Sequence, residues 1–266
     1  MTVLNARRFV RIRRHYAFWV LVCLCALSFN SLASPAFGGE IHKAAINGEV
    51  ARVKALLAAD PGLVFSKDEN GWTPLETLAA TVTSSSDMVL DFGSSYGSTA
   101  NATKTREVKK PFDGPEAMEI AELLIANGAE LNGATDRASA LLQAVRNKNW
   151  RLAELFIKKG AKVDVVMPEG PNDPGMTPLH YAAGYGGTDI AKLLIASKAK
   201  VDAKDGHNRT PLHFAAMFGQ KDVMELLIAN KADVNAKDVK GWTPLQWAEN
   251  YDQGVVAAIL RQHGGH

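Results

Sequence analysis

Apolar and polar positions in the second half of this chain repeat at a fixed interval. Thr177-Pro178-Leu179-His180, Thr210-Pro211-Leu212-His213 and Thr243-Pro244-Leu245-Gln246 begin successive blocks spaced 33 residues apart. Within a block, a small pair such as Ala215-Ala216 lies in the first apolar stretch and a larger pair such as Leu226-Leu227 in the second. A polar segment, Ala232-Asp233-Val234-Asn235, follows. The pattern predicts two helices and an outward hairpin per block. Thr can cap the first helix, and Pro suits its first turn, where a backbone N–H is not needed. The Ala pair lets two helices approach closely, and the Leu pair buries the second helix against the next block. Gly71 and Gly241 supply a permissive backbone just before the next helix. A block of this size cannot cover its own apolar side, so stability has to come from stacking.

The frame extends upstream to six units, near 39–72, 73–138, 139–176, 177–209, 210–242 and 243–266. Gly39-Glu40-Ile41-His42, Thr73-Pro74-Leu75-Glu76 and Ser139-Ala140-Leu141-Leu142 fill the opening slot of the first three. The second unit is split by an insert over 81–114, rich in Ser, Thr and Gly, with its second helix expected over Glu116–Ala126. The insert is either a flexible addition or an arm that touches a partner through Met88–Phe92 or its basic stretch Lys104–Lys110. Pro168, Gly170, Pro171, Pro174 and Gly175 predict a longer, stiffer finger between the third and fourth units.

Period and motif together resemble the ankyrin repeat, most closely over Thr210–Trp242 and Thr177–Arg209. The resemblance implies an all-α solenoid of about six helix–loop–helix units joined by β-hairpin loops. It also implies that another protein binds at the hairpin tips and on the concave, inner-helix side. Carried onto this chain, the two positions after the Ala pair are Gly184 and Tyr185, Met217 and Phe218, and Asn250 and Tyr251 in the last three units. Earlier units place Ile46 and Asn47, and Arg146 and Asn147, there. The groove is therefore expected to turn from polar to aromatic, with Tyr185, Phe218 and Tyr251 as an exposed line. Tyr181, Phe214 and Trp247, one turn earlier, are expected in the core. The hairpin tips add His207, Arg209, Lys240, Trp72 and Trp242; the two tryptophans either cover a neighbouring finger or reach a partner. The protein-binding set is thus Tyr185, Phe218, Tyr251, Met217, Asn250, Trp72, Trp242, His207, Arg209 and Lys240. His42, His180 and His213 share one register and are expected to be buried framework residues rather than metal ligands. His263 and His266 fall in a tail expected to fray.

The N-terminus has a different character. Arg7, Arg8, Arg11, Arg13 and Arg14 precede an apolar run from Tyr16 to Phe29, and the small residues Ser31, Ala33, Ser34 and Ala36 follow. This order predicts a bacterial export signal over 1–33, cleaved near Ala33 or Ala36; the alternative is an uncleaved anchor. Both cysteines, Cys23 and Cys25, lie in the apolar run, so the mature chain is expected to have no disulfide or thiolate site; with the leader removed, no membrane insertion of the mature chain is expected. The whole chain has 30 Lys and Arg against 28 Asp and Glu; losing the five leader arginines takes the net charge from +2 to −3. That balance gives no reason to expect nucleic acid. Absence of nucleophile, phosphate-loop and zinc-helix motifs argues against an enzyme, and no cofactor or metal is expected. The expected function is protein–protein binding by a monomer in the periplasm. Alternatives are an immunity, inhibitor or stress-protection partner of a periplasmic enzyme, a role the resemblance to exported bacterial ankyrin proteins implies, or an effector that binds host proteins.

Overall fold

The computed structural model describes residues 35–81, 114–132, 139–166 and 175–266. Within them the chain forms twelve α-helices, one 3₁₀ turn and no strand. The helices come in pairs: α1 (Pro35–Asn47) with α2 (Val50–Ala59), α3 (Pro74–Ala79) with α4 (Pro115–Ala126), and α5 (Ala140–Arg146) with α6 (Trp150–Lys158). The last three pairs are α7 (Pro178–Tyr185) with α8 (Thr188–Ala196), α9 (Pro211–Met217) with α10 (Lys221–Ala229), and α11 (Pro244–Asn250) with α12 (Gly254–Gln262). A 3₁₀ turn, Pro61–Phe65, follows α2, started by the Asp60 side chain accepting from Gly62 N–H. Most of the 81–114 insert and the Pro- and Gly-rich finger at 167–174 lie outside the described residues, as does the leader.

Odd-numbered helices stack in chain order as an inner layer, and even-numbered helices as an outer one. Inner helices such as α3, α9 and α11 have only six or seven residues, too few to persist alone in water. Burial holds them: Leu75, Leu141, Leu179 and Leu212 are fully enclosed, as are the Ala182-Ala183 and Ala215-Ala216 pairs that let adjacent inner helices come close. Outer helices contribute Ile120, Leu124, Leu152, Phe156, Leu194, Leu227 and Leu260 to the same core.

Two local devices recur along the outer layer. Five outer helices (α4, α6, α8, α10 and α12) end in a left-handed residue followed by a backbone bond that closes the last turn, such as Ala199 N–H to Leu194 O and Ala232 N–H to Leu227 O, both within 3.0 Å. Gly128, Gly160 and Gly264 fill the left-handed position in three of them; Lys198 (φ 74°) and Lys231 (φ 68°) fill it in the other two. Past these ends, a side-chain oxygen of one unit accepts a backbone N–H from the next: Asn132 from Lys162 (2.7 Å), Asp164 from Lys200 (2.9 Å), Asp202 from Asp233 (3.1 Å) and Asn235 from His266 (3.1 Å). The last rung corrects the expectation of a frayed tail. Asn235 holds His266 N–H and Gly264 O, and the Thr243 hydroxyl donates to His266 O at 3.0 Å.

Candidate protein-binding face

Three of the fingers between units are set by one histidine and one aspartate each. In unit four, Thr177 N–H donates to His180 Nδ1 at 3.1 Å, and His180 Nε2 lies 3.0 Å from Arg209 O in the finger ahead. A carbonyl only accepts and an amide N–H only donates, so Nε2 carries the hydrogen and the imidazole is neutral. Burial, opposed by the Arg209 carbonyl bond, pulls the His180 pKa down to about 4. His213 repeats the arrangement with Thr210 N–H (3.0 Å) and Trp242 O (3.2 Å), and burial lowers its pKa too. His42 Nε2 reaches Trp72 O at 2.8 Å. Where His is absent, Glu76 and Gln246 still cap the helix by accepting from Thr73 and Thr243 N–H. The three histidines are framework, and among the described residues no group of His, Cys, Asp or Glu is placed to hold a metal ion.

The residues whose carbonyls these histidines hold, Trp72, Arg209 and Trp242, donate their own N–H to an aspartate four positions back. Asp68, Asp205 and Asp238 accept at 2.9, 2.7 and 2.9 Å, and each also accepts the N–H two positions ahead, from Asn70, His207 and Lys240. Burial alone would raise the Asp68 carboxyl; the N–H bonds from Trp72 and Asn70 outweigh it and hold its pKa below the usual value. The backbone pairs hairpin-fashion in each of these fingers, Asp68, Asp205 and Asp238 N–H to Trp72, Arg209 and Trp242 O at 2.9, 3.0 and 3.0 Å, and the carboxylates close the finger further from inside. One backbone bond, Val239 N–H to His207 O at 3.0 Å, joins the fourth finger to the fifth.

On the inner layer, Tyr181, Phe214 and Trp247 are buried and make its floor. Tyr185, Phe218 and Tyr251 stand at the C-terminal ends of α7, α9 and α11, each half-buried. Tyr185 stacks on Tyr181 with ring centroids 6.3 Å apart, meets Trp150 edge-on at 6.4 Å and lies under Lys148 Nζ at 4.7 Å. Tyr251 stacks on Trp247 at 5.7 Å, and burial pushes its phenol pKa up. Trp242 packs edge-on against the same Trp247 at 5.8 Å, and Trp247 Nε1–H donates to the second oxygen of Asp238. Fingers and inner helices thus form one continuous surface.

A family model described as ankyrin repeats (3 copies) matches residues 114–205 and 201–266. The chain belongs to the ankyrin-repeat family. The Transient receptor potential cation channel subfamily A member 1 homolog of Caenorhabditis elegans is 28% identical over 155 residues, 58% of this chain and 12% of that protein. Delta-latroinsectotoxin-Lt1a of Latrodectus tredecimguttatus is 33% identical over 90 residues, 34% of this chain and 7% of the toxin. The chain therefore spans a small part of either relative's length. Ankyrin repeats are protein–protein interaction modules, generally scaffolds without enzymatic activity. Among the described residues of this ankyrin-repeat chain, no helix is long and apolar enough to cross a membrane.

The ankyrin stack places the residues named from sequence in three settings. Asn250 and Lys240 are exposed; Tyr185, Phe218, Tyr251, His207, Trp72 and Trp242 are half-buried. Met217 and Arg209 are buried, at 5% and 3% exposure, which corrects their placement on the binding face. Met217 is enclosed on the short α9. Arg209 turns inward to pair with Asp205, Nε to Oδ2 at 2.7 Å, and its guanidinium lies 4.6 Å from the centre of the Phe214 ring. Sequence reasoning missed the anchoring role of Asp68, Asp205 and Asp238. A signal was present: each lies five positions before the Thr that opens the next inner helix.

Proposed function

We propose that this chain is an exported ankyrin-repeat protein that holds a protein partner in the bacterial envelope through its finger tips and concave inner-helix face. The observation that carries the binding face is the row of Tyr185, Phe218 and Tyr251, on consecutive inner helices, each left partly open despite its packing. Rings pre-positioned by stacking offer contact area at low entropic cost, as interface anchors do. The leader pattern of five arginines, an apolar run and small residues supports export.

Two experiments test the reading. The partner recovered by pull-down from envelope extract should bind the triple variant Tyr185→Ala, Phe218→Ala, Tyr251→Ala at least about tenfold more weakly, with a smaller effect on melting. Unchanged affinity removes the aromatic row as the contact face. Fractionation and N-terminal sequencing should find a shortened chain in the periplasm, beginning near Ser34 or Phe37; a full-length cytosolic chain refutes export.

A further inference from the structure

Slots that repeat along the stack change character at its two ends. Ile120, Leu152, Ile190, Val223 and Val256 occupy one slot of the outer helices in units two to six, and all are buried. Unit one carries Arg52 there. An inner-helix slot holds Pro74, Ala140, Pro178, Pro211 and Pro244 in units two to six, again all buried. Unit one carries Glu40 in that slot. The Arg52 and Glu40 side chains are 53% and 44% exposed. Unit six, the last of the stack, keeps both of its slots covered, at Pro244 and Val256, so the preceding unit is what covers them.

The converse holds at the other end. Ala45, Ala79, Val145, Ala183 and Ala216 fill a second inner-helix slot in units one to five, and all are buried. Leu57, Ile125, Ile157, Ile195 and Ile228 fill a second outer-helix slot, buried or half-buried. Unit six carries Glu249 and Arg261 in these two slots, both exposed. Unit one keeps its own Ala45 and Leu57 covered, so here the following unit does the covering. At each end the two charges meet. Arg52 on α2 reaches Glu40 on α1 at 3.4 Å, and Arg261 on α12 pairs with Glu249 on α11.

Ion pairs this open to water contribute little to stability. They do make the two end faces costly to cover, because a unit stacked there would strip water from Arg and Glu without offering them polar partners. We propose that the Arg52–Glu40 and Arg261–Glu249 pairs hold shut a latent interface for a second copy of this chain. The two ends are cross-sections of one repeating stack, so the last face of one copy has the shape to receive the first face of another, as each unit receives the next. Such a contact is heterologous, and its repetition gives an open filament rather than a closed pair. The proposal concerns the ends alone and does not depend on the reading of the concave face.

Two variants test it by giving each end the residues of the interior slots. One carries Glu40→Ala and Arg52→Ile, the other Glu249→Ala and Arg261→Ile. By analytical ultracentrifugation, the wild-type chain and each variant alone should sediment as one chain. The two variants mixed in equal amounts should reach about twice that mass. All four substitutions in one chain should give a mass that climbs with concentration. Glu40→Asp with Arg52→Lys, which keeps the charges, should leave the mixture at one chain. Melting curves establish that the variants are folded; should either double substitution unfold, Arg52→Ile and Arg261→Ile alone, both at exposed positions, carry the same test. A folded mixture that stays at one chain's mass overturns the proposal. Association of the wild-type chain, or of one variant without the other, overturns it too, because the contact would then not be an end-to-end one gated by these charges.

Discussion

His180 and Arg209 tie two repeats together: the imidazole Nε2–H donates to the Arg209 carbonyl at 3.0 Å, 29 residues ahead in the chain. The bond requires a neutral ring, because Nδ1 is accepting from Thr177 N–H on its other side. The folded His180 pKa, about 4, lies below the ordinary value of 6.5. Between those values the unfolded chain binds a proton that the folded chain excludes, so stability is full above pH ~6.5 and falls as the pH drops toward ~4. This one group should cost on the order of 2 kcal/mol between pH 7.5 and pH 5, with His213 adding in the same direction. Urea midpoints across that range measure it. His180→Gln should flatten the slope, because Gln246 fills the same slot in the last unit without a titrating group.

Arg209 and Asp205 form a buried ion pair, with side-chain exposures of 4% and 0%. Arg209→Ala strands the Asp205 carboxylate with only its two backbone N–H partners and opens space beside Phe214. We expect a loss of about 3 kcal/mol, read from chemical denaturation. The double variant Arg209→Ala, Asp205→Ala should lose less than the sum of the two single losses; strict additivity would show that the pair is not coupled.

Lys198 and Lys231 hold the left-handed position that Gly128 and Gly160 hold elsewhere. A side chain there crowds its own carbonyl, and glycine removes the clash. Lys198→Gly and Lys231→Gly should each raise stability by roughly 1 kcal/mol, less the entropy that glycine adds to the unfolded chain. A drop in melting temperature contradicts the strain argument.

Asn235 fixes the C-terminal segment through His266 N–H and Gly264 O. In Asn235→Ala, amide exchange at Gly265 and His266 should speed up while inner-helix amides hold their protection. The global cost should be about 1 kcal/mol. Uniform loss of protection would instead make this contact part of the cooperative unit.

Much of the architecture was legible because its causes are local. Thr-Pro opens α3, α7, α9 and α11 through a cap and a first turn spanning four residues, and the 33-residue spacing places the next copy. The framework role of His180 and His213 followed from their shared register. The closing of the fingers was not legible as it occurs. The hairpin's backbone bonds form as expected, but the carboxylates of Asp68, Asp205 and Asp238 gather further N–H groups, and which acids turn inward depends on donors several positions away in the folded chain.

The sequence by itself determined the repeat, the helix starts, the pairing of an inner with an outer helix and the burial of Tyr181, Phe214 and Trp247. Only the tertiary structure decided that Met217 is enclosed while Phe218, its neighbour, stays half-open, and that Arg209 turns inward while Lys240 stays outside. The physical reason is range. Caps and helical periods are set within a few residues, whereas exposure on a stacked repeat is set by side chains arriving from the next unit, about thirty residues along the chain.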